Sequence, residues 1–150
     1  INNINKALYL ISDKNTRILK ISSYYETLSW PKKSFPKYIN IVIKIITSLS
    51  PISLFIKLKK IEKDLGRLKN PKNYPRECDI DILDFNQKRI NLYVNDEKLL
   101  IPHPRMSNRS FVLLPLFEIS KNWKHPISGK KIDILITNIT DKYLTSIKLI

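Results

Sequence analysis

The stretch YINIVIKIITSLSPISLFIKLKKIEKDLG (38–66) sets the fold class. Its first half alternates. Ile39, Ile41, Ile43 and Ile45 form one face, and Tyr38, Asn40, Val42 and Lys44 form the other, which predicts a strand over Tyr38–Ser48. Its second half changes period. Leu54, Leu58, Ile61 and Leu65 follow the i, i+4, i+7, i+11 spacing of one buried helical stripe. Ser50 can cap that helix, Pro51 suits its first turn, and Gly66 can end it.

On the N-terminal side, NINKALYLI (3–11) predicts a short helix, and TRILKISSYY (16–25) a strand with an Ile18/Lys20/Ser22 face and a Leu19/Ile21/Ser23 face. Glu26–Lys37 carries Pro31 and Pro36 and reads as a loop of a length often given to function. Cys78–Phe85 reads as a third strand, followed by a hairpin-like region through Val94 and Leu99–Leu100. Ser107–Ile119 reads as a helix kinked at Pro115, and Lys131–Ile139 fits helix or strand. Neither a repeat nor a linker divides the chain, so residues 1–150 form one domain. Interleaved strands and helices predict an α+β sandwich built from βαββαβ units.

Composition removes several functions. The 150 residues contain two glycines, Gly66 and Gly129. A Walker loop and a dinucleotide fingerprint each need several glycines close together, so any nucleotide phosphates must be held by side chains. The 43% hydrophobic fraction supports a packed core. The most apolar run, Ile39–Ile46, is broken by Asn40 and Lys44 and is too short to span a membrane. One cysteine, Cys78, precludes an internal disulfide and fits a reducing, cytoplasmic location. The start lacks the pattern of a signal peptide. The net charge of +14 suits an anionic partner, although the Ile-, Lys- and Asn-rich composition accounts for part of the lysine excess.

The sharpest chemical signal is CDIDIL (78–83). On a strand, Cys78, Ile80 and Ile82 share one face, and Asp79 and Asp81 share the other. Carboxylates ~6.6 Å apart repel by roughly 2.5 kcal/mol at an effective dielectric near 20, and a divalent cation between them removes that cost. For an isolated D-x-D a solvated acidic face is the ordinary reading, in roughly three cases of four. Here Arg67 and Arg76 precede the acids, and His103, Arg105 and Arg109 follow. Planar guanidinium groups suit phosphate oxygens, so the set matches phosphoryl transfer. A second set suits a flat ligand: Tyr38 can stack, Asn40 can pair with a heterocycle edge, and Phe111 can form the opposite wall. From spacing alone, the reading of Tyr38 and Phe111 as core aromatics is the stronger one.

Three segments carry a resemblance: IEKDLGR (61–67), YPRECDIDIL (74–83) and IPHPRMSNRSFVLLPLFEI (101–119). In this order they resemble the 6-hydroxymethyl-7,8-dihydropterin pyrophosphokinases of folate biosynthesis. SSYYETLSWPKKSFPKYIN (22–40) is similar to the family's S-S-x-Y-x-T-x-P-x-G loop leading into [YF]-[IL]-N. The resemblance implies a ferredoxin-like sandwich and a monomeric cytoplasmic enzyme. It also implies that ATP gives pyrophosphate to 6-hydroxymethyl-7,8-dihydropterin and leaves as AMP. By position, Asp79 and Asp81 would hold two Mg²⁺ ions. Arg67 and Arg76 would close over the triphosphate. His103 and Arg109 would contact phosphate oxygens, and Glu62, Ile82 and Lys98 would lie on the ATP side. Tyr38 and Phe111 would sandwich the pterin, Asn40 would hydrogen-bond it, and Thr27, Leu28 and Trp30 would frame its pocket.

The sequence departs from the pattern in places. The family opens with a strand ending in G-S-N-x-G, and Ile1 falls just after that turn, so the chain is expected to lack the first strand. Ser29 stands where proline is usual, and Pro31 where glycine is usual. Two other readings remain open: a basic ferredoxin-like module that binds nucleic acid, and an inactive truncated remnant of the enzyme. The RNA-recognition signature K/R-G-F/Y-G/A-F-V-x-F/Y is absent, and bare Asp79 and Asp81 would repel a nucleic-acid backbone. Neither a nucleic acid nor a membrane is therefore the expected partner.

Overall fold

The computed structural model describes residues 1–28, 36–66, 78–139 and 147–150. Helix α1 (Asn2–Ile11) leads into strand β1 (Thr16–Ile21), β2 (Tyr25–Thr27), β3 (Tyr38–Asn40) and β4 (Ile43–Thr47). Helix α2 (Pro51–Asp64) follows, then the hairpin β5 (Ile90–Val94) and β6 (Glu97–Ile101). A 3-10 turn at Met106–Asn108 precedes α3 (Ser110–Ile119), α4 (Ile132–Thr137) and β7 (Ile147–Leu149). The result is a mixed α and β architecture with antiparallel pairings and four helices among the described residues.

The helix at 51–64 forms as its sequence specifies. Ser50 Oγ accepts the Ser53 N–H at 3.1 Å, Pro51 opens the first turn, and Gly66 takes φ 94° just past the end. Leu54, Leu58 and Ile61 are buried, with Leu65 packed beside them. They meet Ala7 and Ile11 of α1, which lie one turn apart on its inner face.

The two expected long strands are each divided. Thr16–Tyr25 ends its first strand at Ile21, and Tyr38–Ser48 breaks at Ile41–Val42. The cause is buried Ser22. Its N–H donates to the Val42 carbonyl at 2.9 Å, and its hydroxyl accepts the Val42 N–H at 2.9 Å. A side chain thus takes a position in the ladder, and the pairing separates into β1–β4 and β2–β3 on either side. A register shift between Ile18 and Lys20 adds a bulge to β1.

Side-chain alternation survives that break. Ile43 and Ile45 pack against α1 and α2, whereas Val42 packs with Met106, Leu113 and Ile132 on the α3–α4 side. Helices therefore cover this hairpin from both directions. Part of the expected loop at 26–37 is strand: β2 lies between β3 and β7, with Glu26 opposite both Ile39 and Lys148. The central place in that sheet satisfies its backbone groups on both edges.

Cys78–Phe85 differs from expectation in another way. It joins no ladder among the described residues, although exposure alternates from Cys78 to Ile82 as it would on a strand. Side-chain carboxylate and loop contacts take the place of strand partners, as the site below shows. The hairpin forms as expected, turning through Asn95 and Asp96 at φ 49° and 64°, the left-handed pair of a type I′ turn. The helix expected over 107–119 begins at Ser110, after the 3-10 turn, and keeps Pro115 buried in its interior. Residues 131–139 resolve to helix, α4, which buries Ile132 and Leu135.

Candidate active site

The acidic ribbon is anchored from below. Cys78, Ile80 and Ile82 pack against the α1–α2 core, while Asp79 and Asp81 are exposed. Glu62 of α2 is wholly buried beneath them, and its Oε1 accepts the Ile80 N–H at 2.6 Å. Lys59, one turn earlier, approaches the same carboxylate at 3.0 and 3.1 Å and offsets its charge. Glu62 thus acts on the two acids through the peptide between them. Glu62 stands in the last turn of α2, four residues before Gly66.

A second turn closes on the ribbon from the other side. The His103 N–H donates to the Leu83 carbonyl at 3.0 Å, and His103 Nε2 stands 3.6 Å from Asp81 Oδ2. His103 Nδ1 accepts the Arg105 N–H at 3.2 Å, so the neutral ring carries its proton on Nε2, facing Asp81. Burial pushes the His103 imidazole below its usual value; Asp81 pulls upward, and Arg109 and Arg105 reinforce the lowering. Arg109 is likewise lowered, by burial first and then by Arg105, against the pull of Asp81 and Asp79. Both acids and both arginines therefore share one electrostatic neighbourhood.

A hollow of about 190 Å³ opens beside this turn. Asp81, Ile82, Lys98 and His103, all assigned from sequence to the phosphate or ATP side, line it together. Phe55 contributes an apolar wall that the sequence reading missed. Its signal was faint: it is one more apolar residue beside a helical stripe, and only the placement of β6 against α2 turns it toward a cavity. A larger open hollow, about 350 Å³, lies between Asp13–Arg17 and Ile46–Ser48 and contains none of the assigned residues.

The residues assigned from sequence to a flat ring lie on β2, β3 and α3 and just beyond β2. Asn40 Nδ2 donates to the Tyr25 carbonyl at 3.3 Å and to Thr27 Oγ1 at 3.1 Å. A carbonyl can only accept, so this fixes the amide orientation and presents Oδ1 as an acceptor. Tyr38 pairs directly across from Thr27, and Leu28 follows on the exposed side. Phe111 is half-buried at the start of α3. The Arg109 guanidinium lies 5.4 Å from the Phe111 ring centroid, a cation–π contact that joins the charged set to the aromatic one. Trp30, Arg67 and Arg76 lie outside the described residues.

The donor set suits a hard cation. Two exposed carboxylates offer oxygen ligands, and no cluster of three or more His, Cys, Asp or Glu ligands occurs among the described residues. Magnesium fits that pattern, since it takes one or two carboxylates and completes its shell with water and phosphate oxygens. No helix among the described residues is long and apolar enough to cross a membrane.

Comparison with known proteins agrees with this chemistry. Residues 1–121 match the family model for 7,8-dihydro-6-hydroxymethylpterin-pyrophosphokinase. The chain is 41% identical over 113 residues to the 2-amino-4-hydroxy-6-hydroxymethyldihydropteridine pyrophosphokinase of Aquifex aeolicus, covering 75% of this chain and 68% of the relative. It is 38% identical over 126 residues to the Haemophilus influenzae protein of the same name, covering 83% and 76%. A folic acid synthesis protein of Pneumocystis carinii is 41% identical over 135 residues, covering 90% of this chain, which spans only 18% of that longer protein. These likenesses favour the transferase reading over the nucleic-acid module.

Proposed function

From the premise that the chain belongs to the 7,8-dihydro-6-hydroxymethylpterin-pyrophosphokinase family, we propose that it transfers pyrophosphate from ATP to 6-hydroxymethyl-7,8-dihydropterin and releases AMP, as a step in folate biosynthesis. The observation that carries this reading is one hollow lined by Asp81, Ile82, Lys98 and His103, with Arg109 in the field of Asp81 and lying over the Phe111 ring. One region is equipped for a nucleoside triphosphate and the adjoining one for a planar heterocycle.

The roles follow from the chemistry of each side chain. Ile82 and Phe55 give the hollow its apolar wall, suited to adenine. Lys98, the His103 Nε2–H and Arg109 are donors for phosphate oxygens. Asp79 and Asp81 would hold two Mg²⁺ ions, which on binding screen the triphosphate charge and polarise the transferred group. Arg67 and Arg76 are assigned to the triphosphate by family resemblance, and Trp30 to the pterin pocket. Tyr38 and Phe111 flank the ring, and Asn40 Oδ1 accepts from a pterin N–H. The hydroxymethyl oxygen forms a bond to the β-phosphorus, the β-phosphorus to α-phosphate oxygen bond breaks, and the hydroxyl proton leaves to solvent. The gain comes from holding two substrates in line rather than from a strong base, and we assign no general base. The same reading carries a ferredoxin-like sandwich and a monomeric enzyme.

Incubation with ATP, Mg²⁺ and the reduced pterin, followed by chromatographic detection of AMP, tests the proposal. AMP formation that needs both the pterin and the metal is expected. Its absence, with the chain folded, would favour the inactive-remnant reading. Salt-sensitive binding to nucleic acid that is unchanged or tightened in Asp79→Ala would instead favour the nucleic-acid module.

A further inference from the structure

Glu118, near the end of α3, has no place in the scheme above, yet it makes four hydrogen bonds to one short segment. Its Oε1 accepts from the Ser23 N–H and from the Ser23 hydroxyl, both at 2.9 Å. Its Oε2 accepts from the Ser23 N–H at 3.1 Å and from the Tyr25 hydroxyl at 3.0 Å. Beside it, Lys20 Nζ donates to the Ile119 carbonyl at 3.2 Å. The end of α3 is thereby fastened to the junction of β1 and β2.

That junction leads straight into the ring-binding set. Tyr25 and Thr27 share one face of β2, and Thr27 and the Tyr25 carbonyl both hold Asn40. Phe111 and Glu118 are seven residues apart on α3, two turns along one face. The carboxylate that grips Ser23 and Tyr25 therefore belongs to the same helical face as the aromatic wall. A planar ring between two walls needs them roughly 7 Å apart, two contacts of ~3.5 Å. We infer that Glu118 is a positioning residue that sets the spacing between Phe111 and the Tyr38–Asn40 strand, and so controls pterin affinity. This inference rests on the proposed pterin site.

Glu118→Ala tests it. A rise of about tenfold in the pterin KM is expected, with the affinity for Mg·ATP changed less than about twofold. Amide hydrogen exchange at Ser23 and along β2 and β3 should speed up in the same variant without any substrate present. Glu118→Gln should restore both, because its carbonyl can accept from Ser23 while its NH₂ donates to Tyr25 Oη. If the alanine variant does not fold, Tyr25→Phe removes one bond alone and should raise the pterin KM by about two- to fivefold. An unchanged pterin KM in a folded Glu118→Ala or Tyr25→Phe variant overturns the inference, as does an equal loss of ATP affinity. Failure of the wild-type chain to turn over would instead fault the proposed function, and the exchange measurement would still report whether Glu118 fastens β2.

Discussion

The proposed triphosphate side and the proposed ring side of the site are built by different means. Asp79 and Asp81 lie on a ribbon that joins no ladder among the described residues and is held by Glu62 at Ile80 and by His103 at Leu83. Thr27, Tyr38 and Asn40 lie on a β-ladder, between strands paired on both sides of β2. The charged groups proposed to meet a cation and phosphate are thus exposed on a ribbon pinned at its backbone. Of the groups proposed to hold a flat ring, Thr27, Tyr38 and Asn40 are fixed by sheet register, which sets their height and facing, and Phe111 by α3. The contrast shows where each half is vulnerable: one to loss of a single buried anchor, the other to a change in spacing.

The largest expected effect breaks the charged half alone. Asp81→Ala should lower Mg²⁺-dependent AMP formation by about a thousandfold or more, with pterin affinity left nearly intact. Retained turnover in that assay would remove Asp81 from the metal site. Next is the anchor. Glu62→Ala strips the Ile80 N–H and Lys59 of a buried carboxylate, and should cost about 3 kcal/mol in a urea-unfolding measurement. A cost below about 1 kcal/mol would mean that the ribbon is held by other contacts.

The ring half should respond more mildly. Phe111→Ala is expected to weaken pterin binding by roughly 1–3 kcal/mol, through lost stacking and buried area, while ATP binding changes little. A pterin titration indistinguishable from wild type would rule out the stacking role. The smallest effect concerns pH. Burial pushes the Glu118 carboxyl up, but bonds from the Ser23 N–H, the Ser23 hydroxyl and Tyr25 carry it below its ordinary 4.5. Stability from this network is therefore complete above the ordinary carboxyl range and is lost as pH falls through the lowered folded value. Urea midpoints followed from pH 7 into acid should decline more in the wild type than in Glu118→Gln. Parallel curves would show that the carboxylate charge is immaterial there.

Much of this was legible in the residues. The capped helix at 51–64 was, because local capping and a single apolar stripe determine it. So was the outward pairing of Asp79 and Asp81, since two-residue alternation holds in any extended chain, paired or not. The division of Tyr38–Ser48 was not legible. Its alternation is unbroken, and the interruption comes from Ser22, twenty residues away in the chain. Glu62 was read as an ATP-side residue, yet only the packing of α2 under the ribbon reveals a buried carboxylate gripping Ile80. Glu118 carried no local signal beyond its place in a helix.

The amino-acid order alone determined which chemistries are possible: no glycine cradle, so side chains must meet phosphate, with acids, arginines and a histidine supplied in three segments. It also determined which faces those residues take, because strand and helix periods are properties of neighbouring residues. Only the tertiary structure decided that Asp81, Ile82, Lys98 and His103 share one hollow, and that Arg109, in the field of Asp81, lies over Phe111. Those meetings depend on how helices and hairpins pack across long sequence separations, and packing energy is shared among many contacts that no local pattern encodes.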